Sequence, residues 1–220
     1  MNSILPAAQL SLWVALGSTA VCVPIGLILA TLLHGTKWRS LEAFFLLPLF
    51  LPPTVTGFVL LWLLSPARAP GSWLAGAGWQ IAFTRYGTLL ACVVVSFPLA
   101  FQACMVGLSR VHPELMEGGL TLGGTRLFNT VKVVWPQMRA AVGVACLLVF
   151  ARALGEFGAS MMLGGNMMGE TQTLPIAVYS LAQSGHFGWA ATAAAISAVL
   201  GLAVYLLLRV LESRELSQRI

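Results

Sequence analysis

Two ionisable residues stand four positions apart in a stretch that is otherwise free of charge. Arg152 and Glu156 lie in "FARALGEFGASMMLGG". A spacing of four puts two side chains on one helix face, where opposite charges pair. An ion pair inside a long apolar run reads in two ways. It lines and gates a polar path, or it locks two helices together. Neutral donors stand in or beside the apolar runs: Thr54, Thr56, Ser96, Gln102, Ser160 and Asn166. Hydroxyls and amides are neutral hydrogen-bond donors, suited to line a polar path. Nothing here converges for catalysis. The cysteines, Cys22, Cys92, Cys104 and Cys146, form no C-x-x-C pair, and the histidines, His34, His112 and His186, are far apart. Small core hydrophobes and interfacial histidines are the expected roles, with neither a metal site nor a disulfide framework.

The elements that must position these residues are membrane helices. The chain has 220 residues, 58% hydrophobic and 9% charged, against about 25% charged in an ordinary soluble domain. Apolar runs fall at about 10–33, 43–64, 86–108, 140–163 and 190–208. Each is long enough to cross a hydrocarbon core as a helix. The expected fold is all-α, a single membrane domain over residues 1–220 with five transmembrane helices. No basic residue precedes the first run, so that helix is expected to be retained. Pro48, Pro52 and Pro53 crowd the second run, and Pro24 and Pro98 sit in the first and third. Such prolines predict bends where neighbouring groups satisfy the freed carbonyls.

Five crossings place the termini on opposite sides. With the N-terminus outside, the inner side collects nine basic residues, and the outer side has Arg68 and Arg85. The positive-inside rule selects N-out, C-in. The net charge of +5 is therefore a matter of topology, and no nucleic-acid partner is implied.

Residues 110–139 form the longest charged and glycine-containing stretch between runs. Pro113 suits a first helical turn, with Glu114 and Glu117 complementing the helix dipole. Gly123 and Gly124 stop that helix, and Thr125 caps a second one. Leu127, Phe128, Val131, Val134 and Trp135 form an apolar face opposite Arg126, Asn129, Thr130 and Lys132, and Pro136 ends the helix. The whole predicts a cytoplasmic ledge under the membrane. Outside, 65–85 is expected to hold a short element at headgroup level, and 164–189 a short helix from about Leu174 to Gln183.

Glu117-Gly118-Gly119, Gly123 and, after nine residues, Val133-Val134-Trp135-Pro136 resemble the cytoplasmic loop E-A-A-x-x-x-G…I-x-L-P of ABC-importer permeases. Glycines replace both alanines, Val133 the isoleucine and Trp135 the leucine. The glycines soften this helix by about 1 kcal/mol each relative to alanine. "LLPLFLPPTVTGFVLL", "VSFPLAFQA" and "FARALGEFGASMMLGGNMMGETQTLPIAVY" resemble molybdate ABC transporter permeases. The resemblance implies a type I importer permease fold and a homodimer in the cytoplasmic (inner) membrane. It also implies two cytoplasmic ATPase subunits and an extracytoplasmic molybdate-binding protein. Coupling to the ATPases would fall to Glu114, Glu117, Gly118, Gly119, Gly123, Val133 and Pro136. Tungstate and sulfate permeases are close relatives of that family. The chain has no G-x-x-x-x-G-K-[ST], the loop that cradles nucleotide phosphates. It is expected to bind no cofactor and to be no enzyme by itself, with ATP and Mg used by the partner. A gradient-driven anion carrier is the rival class. It would need no ledge, and a proton-driven one would want more ionisable residues in its spans. A membrane enzyme would need a catalytic cluster.

Overall fold

The computed structural model describes residues 4–34, 39–112, 114–115 and 123–217, without the side chains of 39–40 and 208–217. Among the described residues the regular structure is helical throughout. The elements are α1 (Ile4–Leu33), α2 (Arg39–Phe50), α3 (Pro53–Leu64), α4 (Gly71–Gly76) and α5 (Arg85–Ser109). They continue with α6 (Arg126–Gln137), α7 (Arg139–Leu154), α8 (Gly158–Leu163), α9 (Leu174–Gln183) and α10 (Phe187–Ser217).

Three helices are long and apolar enough to cross a bilayer unbroken: α1, α5 and Phe187–Leu207 of α10. The second span bends where its prolines predict, as two helices meeting at 115°. The cause is local. A proline forces extended backbone on the residue before it, and Pro52, followed by Pro53, has ψ 135°. Pro53 then opens α3, where a missing N–H costs nothing. The carbonyl of Pro52 is taken up by the amides of Val55 and Thr56.

The expected fourth span also departs from a single helix. It is α7 followed, after Gly155-Glu156-Phe157, by the short α8. Arg152 and Glu156 are therefore not on one helix face. Arg152 is in the last turn of α7 and Glu156 is in the link. Below α7, α6 meets it at 71°.

The bundle is centred on α1, α5 and α7, each packed on the other two. Small residues let the backbones close up. A methyl group built on Gly26 would stand 3.1 Å from the Phe101 amide nitrogen. Phe45 brings α2 to this core, its ring 5.6 Å from Phe101 and 5.8 Å from Phe97. The other unit is α3 crossed by α8. A Cβ on Gly57 would lie 2.6 Å from the Ala159 Cα, and one on Gly158 would lie 2.9 Å from Thr54 Cγ2. At this crossing glycine is required on both helices. The short helices α4 and α9 fall in the two loops expected to hold them, α9 over Leu174–Gln183.

Gly57→Val should force α3 away from α8. Overpacking of this kind costs about 1–3 kcal/mol. Thermal denaturation of the detergent-solubilised protein should show a clear drop in midpoint for Gly57→Val and none for Gly201→Val, where a Cβ meets nothing. Equal midpoints for the two variants would contradict the packing.

Candidate functional site: a buried ion pair at a helix break

Glu156 is 1% exposed. Its Oε2 pairs with Arg152 Nη1 at 2.5 Å, and its Oε1 accepts a hydrogen bond from the Ala159 amide at 2.8 Å. The second contact caps α8, because a carboxylate satisfies an amide that the first turn leaves free. Local backbone geometry favours the break. Gly155 donates to the Ala151 carbonyl at 3.2 Å, and the Glu156 amide turns back to the Ala153 carbonyl at 3.2 Å. One carboxylate thus ties the end of α7 to the start of α8. The Arg152 side chain is 30% exposed on a helix whose other end begins at Arg139. At 1.5 Å per residue it stands roughly 20 Å along that helix.

The neutral candidates distribute around α8. Ser160 Oγ lies 3.2 Å from Cys92 Sγ on α5, so α8 meets α5 through a polar contact. Ser96, one turn further along α5, is fully buried, as is most of Thr56 on α3. The hydroxyls of both lack a hydrogen-bond partner among the described residues. Thr54 is exposed beside Gly158. Asn166 stands apart. Its Nδ2 donates to Ser180 Oγ at 2.8 Å, and its Oδ1 accepts from Gln172 Nε2 at 2.8 Å. With the Met167 amide bonded to Thr171 Oγ1, this amide serves to close the 164–173 loop.

Of the ledge residues, Glu117, Gly118 and Gly119 lie outside the described residues, as does Pro113. Glu114 is exposed, and Gly123 has φ +82°, a left-handed turn suited to glycine. Thr125 caps α6 by accepting from the Phe128 amide at 3.2 Å. Val133 is half-buried and Pro136 exposed. Pro136 does not end the helix. The chain stays helical to Gln137 and turns at Met138. The regular amphipathic face also gives way, because Thr130–Val134 forms a π turn. Pro136 cannot donate an amide to the turn before it, and a wider turn changes which residues share a face. Leu127 (73%) and Phe128 (59%) point outward, while Asn129 is buried.

Sequence reasoning missed two residues. Asn129 Nδ2 reaches the Leu115 carbonyl at 3.5 Å, and Trp135 Nε1 donates to Thr31 Oγ1 at 3.2 Å. Neither was findable from a helical repeat that assumes 3.6 residues per turn. Cys92 was read as core filling and is indeed buried, but the run of apolar residues around it concealed its contact with Ser160.

No group of three or more metal-binding side chains exists among the described residues. The apolar helices define a polytopic membrane protein with an ion pair buried inside it.

Comparison with known proteins gives the family. Residues 22–216 match the family "binding-protein-dependent transport system inner membrane component", and the chain belongs to it. It is thus a multi-pass inner-membrane transport subunit with the ABC-importer permease fold. It is 36% identical over 154 residues to the putative molybdenum transport system permease protein YvgM of Bacillus subtilis, covering 69% of this chain and 68% of that one. It is 35% identical over 182 residues to the molybdenum transport system permease protein ModB of Escherichia coli, covering 81% and 80%. It is 31% identical over 194 residues to the E. coli sulfate transport system permease protein CysT, covering 86% and 69%. The fold matches that of a bacterial alginate ABC transporter solved with its substrate-bound periplasmic protein. There the TM-score is 0.78 at 16% identity, covering 97% of this chain and 80% of that one.

The pair predicts an ordered mutant series. Arg152→Gln strands a buried carboxylate, whereas Glu156→Gln keeps an acceptor for the Ala159 amide and leaves a cation that is only partly buried. Breaking a buried pair from one side costs about 3–5 kcal/mol. Arg152→Gln should therefore lower the denaturation midpoint more than Glu156→Gln, and the double variant should lose less than the sum. Additive losses would show that the two groups act independently.

Proposed function

We propose that this chain is the translocation subunit of an ATP-driven importer of molybdate. The observation that carries this reading is the 35% identity to ModB over four-fifths of both chains. Two copies of the chain form the path, with N-termini outside and C-termini in the cytoplasm, as the distribution of arginine and lysine favours. Two ATPase subunits bind ATP and Mg on the cytoplasmic side, and the permease itself holds no cofactor. An extracytoplasmic binding protein delivers the oxyanion. The alginate transporter, solved with a periplasmic protein, supports this kind of partner.

The mechanism is alternating access. Closure of the ATPases pulls on the ledge that contains Glu114, Glu117, Gly118, Gly119, Gly123, Val133 and Pro136. The α6–α7 joint at Met138 carries that displacement to α7. From Arg152 and Glu156 it passes to α8 and then to α3, which α8 touches through backbone. The path opens outward, takes up the anion, and resets inward on hydrolysis. Thr54, Thr56, Ser96 and Ser160 supply neutral donors along it, and Asn166, expected beside them, instead holds the loop after α8 through Ser180 and Gln172. Arg152 adds a cation whose charge Glu156 cancels. A dianion is attracted weakly enough to leave again.

Sulfate is the second reading, favoured by the relationship to CysT. Tungstate shares the charge and nearly the size of molybdate. Vesicles containing the assembled complex should accumulate labelled molybdate only with internal ATP, and a tenfold excess of sulfate should reduce uptake little. Strong competition by sulfate would transfer the assignment to sulfate. Uptake without the ATPase would contradict the importer mechanism. Glu117→Lys should release the ATPase subunits during co-purification, and full retention with normal transport would remove Glu117 from the docking surface.

A further inference from the structure

A cavity of 420 Å3 lies at the Leu64 end of α3, against the loop that leads into α5. Phe58, Leu61, Trp62 and Phe83 give it apolar walls, and Ser65, Arg68 and Gln80 give it polar ones. It is open on one side rather than enclosed. Arg68 is held by stacking, its guanidinium carbon 4.3 Å from the centre of the Trp62 ring. Stacking uses the face of the guanidinium and leaves its N–H edge free to donate. Among the described residues no carboxylate pairs with it.

The depth of the cavity follows from its neighbours. Trp62, Trp73, Trp79 and Tyr86 are all well exposed around this end of the bundle, the girdle expected where a membrane meets water. Phe58 lies one helical turn before Trp62, about 6 Å further along α3 toward the membrane interior. Polar donors thus stand at headgroup level and apolar walls below them. A small free dianion fits this arrangement poorly. It would exchange its hydration for one arginine and several aromatic faces, and burying charge that way is costly. A lipid satisfies both halves.

We propose that this cavity binds an anionic phospholipid. Its phosphate takes the two-pronged edge of Arg68, the geometry in which arginine and phosphate match. Its acyl chain covers Phe58 and Leu61. Trp62 orients the arginine and forms the wall between the two halves.

The test uses the full chain in phosphatidylcholine vesicles doped with brominated phosphatidylglycerol or brominated phosphatidylcholine. The Trp62 signal is the difference in fluorescence quenching between the protein and Trp62→Phe. Both lipids carry the phosphate, but choline's cation cancels its charge in phosphatidylcholine, so one arginine separates the two by about fivefold in occupancy. Half-quenching should therefore need about fivefold less brominated phosphatidylglycerol than brominated phosphatidylcholine. Arg68→Gln should abolish that preference, and Arg85→Gln, outside the cavity, should leave it intact. Equal quenching by the two lipids would overturn the proposal, as would equal loss of preference in both arginine variants. Relief of quenching by millimolar molybdate or sulfate would show a free oxyanion in the cavity instead. Absence of Trp62 quenching by either lipid would overturn it as well.

Discussion

A carboxylate cannot be left alone in an apolar interior, and most of the architecture around α8 follows from how Glu156 avoids that. It lies between two helix ends and uses both. Arg152 is in the last turn of α7 and the Ala159 amide is in the first turn of α8. A cation at a helix C-terminus and an anion at an N-terminus are each where the helix dipole favours them. The interaction therefore does more than neutralise two charges. It fixes the direction in which the chain leaves α7, and α8 is too short at six residues to hold a position of its own.

What α8 touches then becomes fixed as well. Gly57 and Gly158 bring it against α3 with backbone close to backbone, so α3 cannot slide without moving α8. Ser160 meets Cys92 of α5. At its far end the Leu163 carbonyl accepts from the Phe83 amide at 2.8 Å, which ties α8 to the loop beside the Arg68 cavity. The helix is a rivet through three neighbours, and the ion pair is its head. This arrangement also accounts for the direction of the 115° break between α2 and α3. Proline explains why the helix stops there, but α8 explains where the chain goes next.

Hydropathy made the membrane class and the approximate positions of the crossings legible in the sequence, because apolar length is a one-dimensional property. Capping was legible too. Thr125 opens α6 as expected, and the short helix expected from about Leu174 to Gln183 is α9. Direction was legible only in part. The prolines of "LPLFLPPTV" announced a bend but not its 115°, and "ALGEFGAS" is apolar enough to read as part of a straight span, yet it contains a break. The pairing of Arg152 with Glu156 was foreseen from a spacing of four on one helix. The pair forms although the helix ends between them, since a tight link keeps the residues as close as a helical turn would. Asn129 shows the opposite case. Its polarity predicted an outward position, yet it is buried in the first turn of α6 with its amide reaching the Leu115 carbonyl.

On the proposed function, the same carboxylate sets the electrostatics of the path. An unpaired arginine among hydroxyls would hold a doubly charged oxyanion tightly, and a site that holds tightly does not conduct. A path with no cation would leave the anion to hydroxyl dipoles alone. Arg152 joined to Glu156 is an intermediate solution. The pair is neutral overall, yet the guanidinium is 30% exposed and the carboxylate is hidden, so the face presented outward is the donor face. The cap on α8 is what hides the carboxylate, because it holds Oε1 against the Ala159 amide. Helix geometry and anion handling thus rest on one side chain. A change that frees Glu156 from α8 would turn an acceptor toward the path at the same time as it loosens α3.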